Sequence, residues 1–119
     1  MRNFRELEVW KMAVDFVTEV YSITKELPEN EKYGLISQIN RSVISIPANI
    51  AEGSSRKTSA DFARFLEIAL GSSFELETYF EIMNNLGLLA KVNYQKLIEE
   101  LNLLQKKINA LRKSILNNN

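Results

Sequence analysis

The segment from Tyr33 to Gly53, YGLISQINRSVISIPANIAEG, constrains the fold more than any other part of the chain. Leu35 and Ile36 open an apolar series that continues through Ile39, Val43, Ile46 and Ile50 in steps of three and four, placing one helical face in a core. Gln38, Ser42, Ser45, Asn49 and Glu52 form a second stripe beside it. That stripe is polar yet almost uncharged, unlike an ordinary solvent face. Pro47 interrupts the pattern. It lacks the N–H that would meet the Val43 carbonyl, so a kink is expected, with Ser42 or Ser45 placed to bond a nearby carbonyl.

Three further segments share the helical period. The first, from about Phe4 to Leu27, sets Leu7, Trp10, Ala13, Val14, Val17, Val20, Tyr21, Thr24 and Leu27 on one face, and Pro28 closes it. Asn30 is the expected N-cap of the second helix, and Gly53 its expected left-handed C-cap. Thr58-Ser-Ala-Asp61 has the spacing of a capping box for a third helix, whose seam runs through Phe62, Phe65, Leu66, Ala69, Leu76, Phe80 and Met83 to a cap at Gly87. Asn93 is the expected cap of a fourth, with Tyr94, Leu97, Leu101, Leu104, Ile108, Leu111 and Ile115 in heptad alternation. No period-two pattern or hairpin signal appears. Helices of about 30–40 Å joined by short connections pack against antiparallel neighbours. The expected fold is therefore all-α, an antiparallel up-down-up-down four-helix bundle with long helices and a proline-kinked second one. Residues 1–119 are expected to form one domain, with a disordered tail over about 117–119.

Composition narrows the chemistry. The chain has no cysteine and no histidine, which removes disulfides, thiolate sites and the commonest general base and metal ligand. Di-iron bundles need Glu-x-x-His motifs that are missing here. Glu52, Glu67 and Glu75 are acidic residues expected to be solvated or salt-bridged. No phosphate-binding glycine loop is present, since Gly71-Ser72-Ser73 falls inside a helix. No catalytic residue, cofactor or metal is expected, and the chain reads as a non-enzyme. The apolar runs are too short for a membrane span and no signal peptide opens the chain, so the expected location is the cytoplasm.

Several features keep two readings open. The polar stripe is either a register-fixing network with partners such as Ser72, Glu75 or Arg41, or a pocket lined by Gln38, Asn49 and Glu52. Gly71-Ser72-Ser73 allows close approach of a helix from the same bundle or from another subunit. Val9, Phe16 and Ile23 form a second apolar stripe on the first helix; Leu70 and Phe74 lie at the edge of the third helix's seam and Leu103 off that of the fourth. These residues widen the core face or form an oligomer interface, and a homo-oligomer is expected.

Charge is the remaining lead. Lysine plus arginine equals aspartate plus glutamate, at 15 each, so total charge favours no partner. Its distribution is uneven. In an up-down-up-down bundle one end gathers Arg2, Arg5, Arg56, Lys57, Arg64, Lys106, Lys107, Arg112 and Lys113. The other end gathers Glu26, Glu29, Glu31, Glu77, Glu81, Glu99 and Glu100. Arg56, Lys57, Arg64, Lys106, Lys107, Arg112 and Lys113 are the candidate contacts for RNA or DNA phosphates, without base stacking or sequence specificity. Helix C-termini also favour cations through the macrodipole, and the alternative function is a protein-interaction module with no nucleic-acid role.

Four stretches in this order carry a family resemblance: Leu7-x-x-Trp10; Glu31-x-Tyr33-Gly34-Leu35-x-x-Gln38; Ser45-Ile46-Pro47-Ala48-Asn49-Ile50-Ala51-Glu52-Gly53; and Ile68-Ala69-Leu70-Gly71-Ser72-Ser73-x-Glu75-Leu76-Glu77. From Phe4 to about Leu116 the chain resembles the four-helix-bundle family of 23S rRNA intervening-sequence proteins. That family is similar in fold to accessory proteins of diversity-generating retroelements, which form basic pentameric barrels that bind nucleic acid and a reverse transcriptase. The resemblance thus implies a pentamer with a nucleic-acid-facing surface, and it supplies no catalytic residues.

Overall fold

The apolar periods become four helices in the computed structural model, which describes residues 3–117 apart from the side chains of Lys32 and Tyr33. They are α1 (Glu8–Thr24), α2 (Ser37–Ser54), α3 (Ser59–Asn85) and α4 (Lys91–Asn117), in a body measuring 46 × 23 × 20 Å. The fold is all-α. Arg2 and residues 118–119 lie outside the described part, while Asn117, expected in a disordered tail, is the last residue of α4.

Inter-helix contacts show how neighbours run. Ser42 and Ser45 of α2 meet Glu75 and Ser72 of α3, so one chain ascends as the other descends. The same reversal relates Gln105 and Arg112 of α4 to Glu77 and Glu67 of α3. It also relates Glu8 and Glu19 of α1 to Lys107 and Lys96 of α4. Each helix thus lies against a neighbour of opposite direction.

The helix ends depart from the expected caps. Asn3 accepts the Arg5 N–H at 3.1 Å and starts a 3-10 turn over Phe4–Glu6. Leu7 is then extended, so α1 begins at Glu8 rather than Phe4. The edge-to-face pair of Phe4 and Trp10, 5.1 Å between centroids, folds that turn back on α1. Asn30 belongs to a second 3-10 turn, Glu29–Glu31, and a π turn over Lys32–Ile36 precedes α2. Changes of winding there replace a single capped start, because the tighter and wider turns re-aim Leu35 and Ile36 before the regular period begins. Asn93 lies inside α4, which starts at Lys91.

Two caps follow their local chemistry. Thr58 accepts the Asp61 N–H at 3.0 Å and opens α3. At its far end Gly87 takes φ +70 while Leu88 N–H donates to Met83 O at 2.9 Å and Gly87 N–H to Asn84 O at 3.1 Å, a Schellman closure. Gly53 is different. It has no positive φ and sits within the last turn of α2, where an added Cβ would lie 2.5 Å from the Phe65 Cβ. Its smallness lets α3 cross, which is a packing requirement rather than a capping one.

The core is built from Ala13 and Val20 of α1, Ile39, Val43, Ile46 and Ile50 of α2, Phe62, Leu66, Leu76 and Phe80 of α3, and Leu97, Leu101, Leu104 and Ile108 of α4. On α1 the buried line passes through Val9 and Phe16, each 5% exposed, with Phe16 edge-to-face against Phe80 at 6.3 Å. Trp10, Val14 and Val17 are only half-buried and Tyr21 is exposed. The wide apolar arc of α1 therefore serves the core from its Val9–Phe16 side. Ala13 and Val20 lie between the two stripes, and the neighbouring helices decide to which side burial tilts.

Candidate nucleic-acid interface

The polar stripe of α2 is occupied by contacts to α3. Ser42 Oγ donates to Glu75 Oε1 at 2.8 Å, and Ser45 and Ser72 share a hydroxyl bond of 2.8 Å. Asn49 Nδ2 donates to the Ser45 carbonyl at 2.8 Å and to Ser45 Oγ at 2.9 Å. Neither serine turns to a carbonyl beside Pro47. Gln38 is exposed and stays outside this network, and Glu52 faces the bundle end, where it pairs with Arg56 at 3.3 Å. Glu52, Glu67 and Glu75 each have a separate partner (Arg56, Arg112 and Ser42), so they form no common carboxylate site. Among the described residues no group of three His, Cys, Asp or Glu could hold a metal ion.

The α2–α3 connection and the C-terminal turns of α4 meet at one end of the bundle. The Arg56 guanidinium lies over the Phe65 ring at 4.7 Å, held there by Glu52, so the Gly53–Phe65 approach and the Arg56 stack fix the connection together. Across that end Arg112 reaches Glu67 of α3 at 3.5 Å and its Nε donates to Asn109 at 3.2 Å. Lys107 Nζ donates to Glu8 of α1 at 2.8 Å, and this ammonium holds the Glu8 carboxyl below the usual carboxylate range. Arg64 lies one turn before Glu67 on the same face of α3.

The seven candidate cations thus divide by their surroundings. Arg56, Lys107 and Arg112 are tied to carboxylates of the same chain. Lys57, Arg64, Lys106 and Lys113 are exposed and have no ion pair among the described residues. Sequence spacing could not separate the two groups, because the carboxylate partners of Lys107 and Arg112 come from other helices. Of the apolar candidates, Ile23 and Leu70 are half-buried against the core, whereas Phe74 and Leu103 are 55% and 49% exposed.

A family model for 23S rRNA-intervening sequence proteins matches residues 5–110. The chain belongs to that family. A crystal structure of a protein of unknown function from the S23 ribosomal protein family of Bacteroides thetaiotaomicron VPI-5482 superposes with a TM-score of 0.82 at 26% identity, over 88% of this chain and 95% of that one. No curated protein matches the sequence at a significant level. Among the described residues no helix is long and apolar enough to cross a membrane.

Proposed function

We propose that this intervening-sequence family member is a non-enzymatic helical scaffold whose basic end rests on the phosphates of RNA or DNA. The observation that carries the reading is the group of exposed cations at that end with no carboxylate partner among the described residues: Lys57, Arg64, Lys106 and Lys113. A cation already neutralised within the chain gains little from a phosphate, whereas an unpaired one releases the counterions bound to the nucleic acid. Arg56, Lys107 and Arg112 then shape the end more than they bind. In a homo-oligomer with parallel subunits, such as the pentamer implied by the family resemblance, these ends add into one positive face.

The test is binding of a labelled mixed-sequence RNA and the matching single-stranded DNA across a salt series. Affinity should fall steeply with salt, and reversing Lys57, Arg64 and Lys113 together should flatten the slope while leaving helical content intact. Salt-independent binding, or a triple reversal that binds as wild type, overturns this assignment.

A second reading rests on exposed apolar surface. Leu70 and Phe74 line a shallow groove with Asn102, Gln105, Lys106 and Asn109. In a protein-interaction module this groove holds a partner or another subunit, and Phe74→Ser lowers the mass of the assembly in solution without loss of helix.

A further inference from the structure

Of the four neighbouring helix pairs, α1 and α4 pack least closely. Two rungs span them, Lys107 Nζ to Glu8 at 2.8 Å and Lys96 Nζ to Glu19 at 3.2 Å. The rungs are about three turns apart on each helix. Side chains leave a hollow beside each rung, the first over Leu7, Val9, Ala110 and Leu111. The second is a cavity of about 210 Å³ with Met12, Phe16, Leu103 and Leu104 as its apolar wall and Asp15, Glu19 and Glu100 as its polar one. Phe16 and Leu104 are its buried floor, and Leu103 is an exposed lip.

The charges around this second hollow do not balance. Among the described residues Lys96 is the one ammonium in ion-pair reach of its carboxylates, at 3.2 Å from Glu19 and 3.9 Å from Glu100, and it remains largely exposed. Asp15 has no ion pair among the described residues. An apolar trough parallel to two helices, with surplus carboxylates beside it, complements a helix bearing apolar side chains and Lys or Arg on one face.

We propose that the α1–α4 groove docks a basic amphipathic helix of a partner protein, its apolar side chains on Met12, Phe16 and Leu103 and its cationic heads on Asp15, Glu19 and Glu100. Glu100 makes the contact pH-dependent. Burial, and then the neighbouring Glu19, push its carboxyl up to about 7, against the opposing pull of Lys96. The charged groups facing it are Asp15 and Glu19 from α1 and Lys96 from its own helix; no charged group of α2 or α3 lines the cavity. A docked cation holds Glu100 ionised, so affinity falls as pH drops through that value.

The probe is a labelled synthetic helical peptide with leucines along one face flanked by lysines, measured by fluorescence anisotropy, with a glutamate-for-lysine peptide as control. The lysine peptide should bind saturably at about pH 8 and roughly tenfold more weakly at about pH 5.5. Leu103→Ser should weaken it by a similar factor. Glu100→Gln should both weaken it and remove most of the pH dependence. Reversal of Lys57, Arg64 and Lys113 should leave it unchanged, so failure of the nucleic-acid reading is recognised separately. Equal binding of the two peptides, or unaltered affinity in Leu103→Ser and Glu100→Gln with native circular dichroism, overturns the proposal. So does a fall in solution mass of Leu103→Ser without peptide, which would assign the groove to a second copy of the chain.

Discussion

Gly53 and Phe65 approach so closely that a methyl group on Gly53 would stand 2.5 Å from the Phe65 Cβ, and 3.1 Å from the Phe62 ring edge. Two long helices cross there, at the end that carries the Arg56 stack. Gly53→Ala therefore forces backbone to move and should cost about 1–3 kcal/mol in chemical unfolding. Gly71 gives the opposite sign, since nothing in the chain lies within 4 Å of a Cβ built on it. Gly71→Ala should stabilise the helix by up to about 1 kcal/mol. If it instead lowers the solution mass, the open face at Gly71 is packed against another subunit.

Phe16 and Phe74 differ in environment although both are phenylalanines on helices flanking α4. Phe16 is 5% exposed and meets Phe80, whereas Phe74 is 55% exposed. Phe16→Ala should cost roughly 3–5 kcal/mol, the range for emptying an aromatic site in a core. Phe74→Ala should change the stability of the isolated chain by less than about 1 kcal/mol. Thermal denaturation of the two variants, measured side by side, checks both values.

The cations at the basic end should divide in the same way. Reversing Lys57 or Arg64 should lower nucleic-acid affinity at low salt and leave the melting temperature nearly unchanged, since neither has a partner to lose among the described residues. Reversing Arg112 also places a carboxylate against Glu67, now 3.5 Å from its guanidinium. Its melting temperature should fall together with its affinity. A melting temperature equal to wild type would show that the Arg112–Glu67 contact has no part in holding α4 to α3.

Stability should also depend on Glu100. Its carboxyl is raised in the folded chain from the ordinary 4.5 to about 7, first by burial and then by Glu19. Between those values the folded state keeps a proton that the unfolded chain releases, so stability declines as pH rises through that window and levels off above it. Glu100→Gln mimics the protonated form. It should match wild type near the lower limit and exceed it at about pH 8. Parallel melting curves for the two proteins at every pH would contradict this environment for Glu100.

Much of the architecture was legible in the residues themselves. The helical periods of Ile39, Val43, Ile46 and Ile50, and of Leu97, Leu101, Leu104 and Ile108, place four amphipathic segments before any contact is known, because a side chain's direction on a helix follows from its number. The Thr58 cap and the Gly87 closure were legible for the same reason: both are local, made by groups within one or two turns. The polar stripe announced itself by its composition: two of its members, Ser42 and Ser45, make the α2–α3 bonds, and Asn49 donates to Ser45 within α2.

Tertiary structure decided everything that needs a second helix. The first helix has an apolar arc wide enough for two seams, and only its neighbours select the Val9–Phe16 side over the Trp10–Val17 side. Gly53 has the sequence context of a cap, yet it is required by Phe65, a residue on another helix. Lys107 and Lys106 are adjacent in the chain. One is neutralised by Glu8 and the other is not, because successive residues on a helix point about 100° apart and Glu8 lies on only one of those bearings. A sequence carries directions around each helix axis. Which direction meets a core, a carboxylate or open water depends on where the other helices stand.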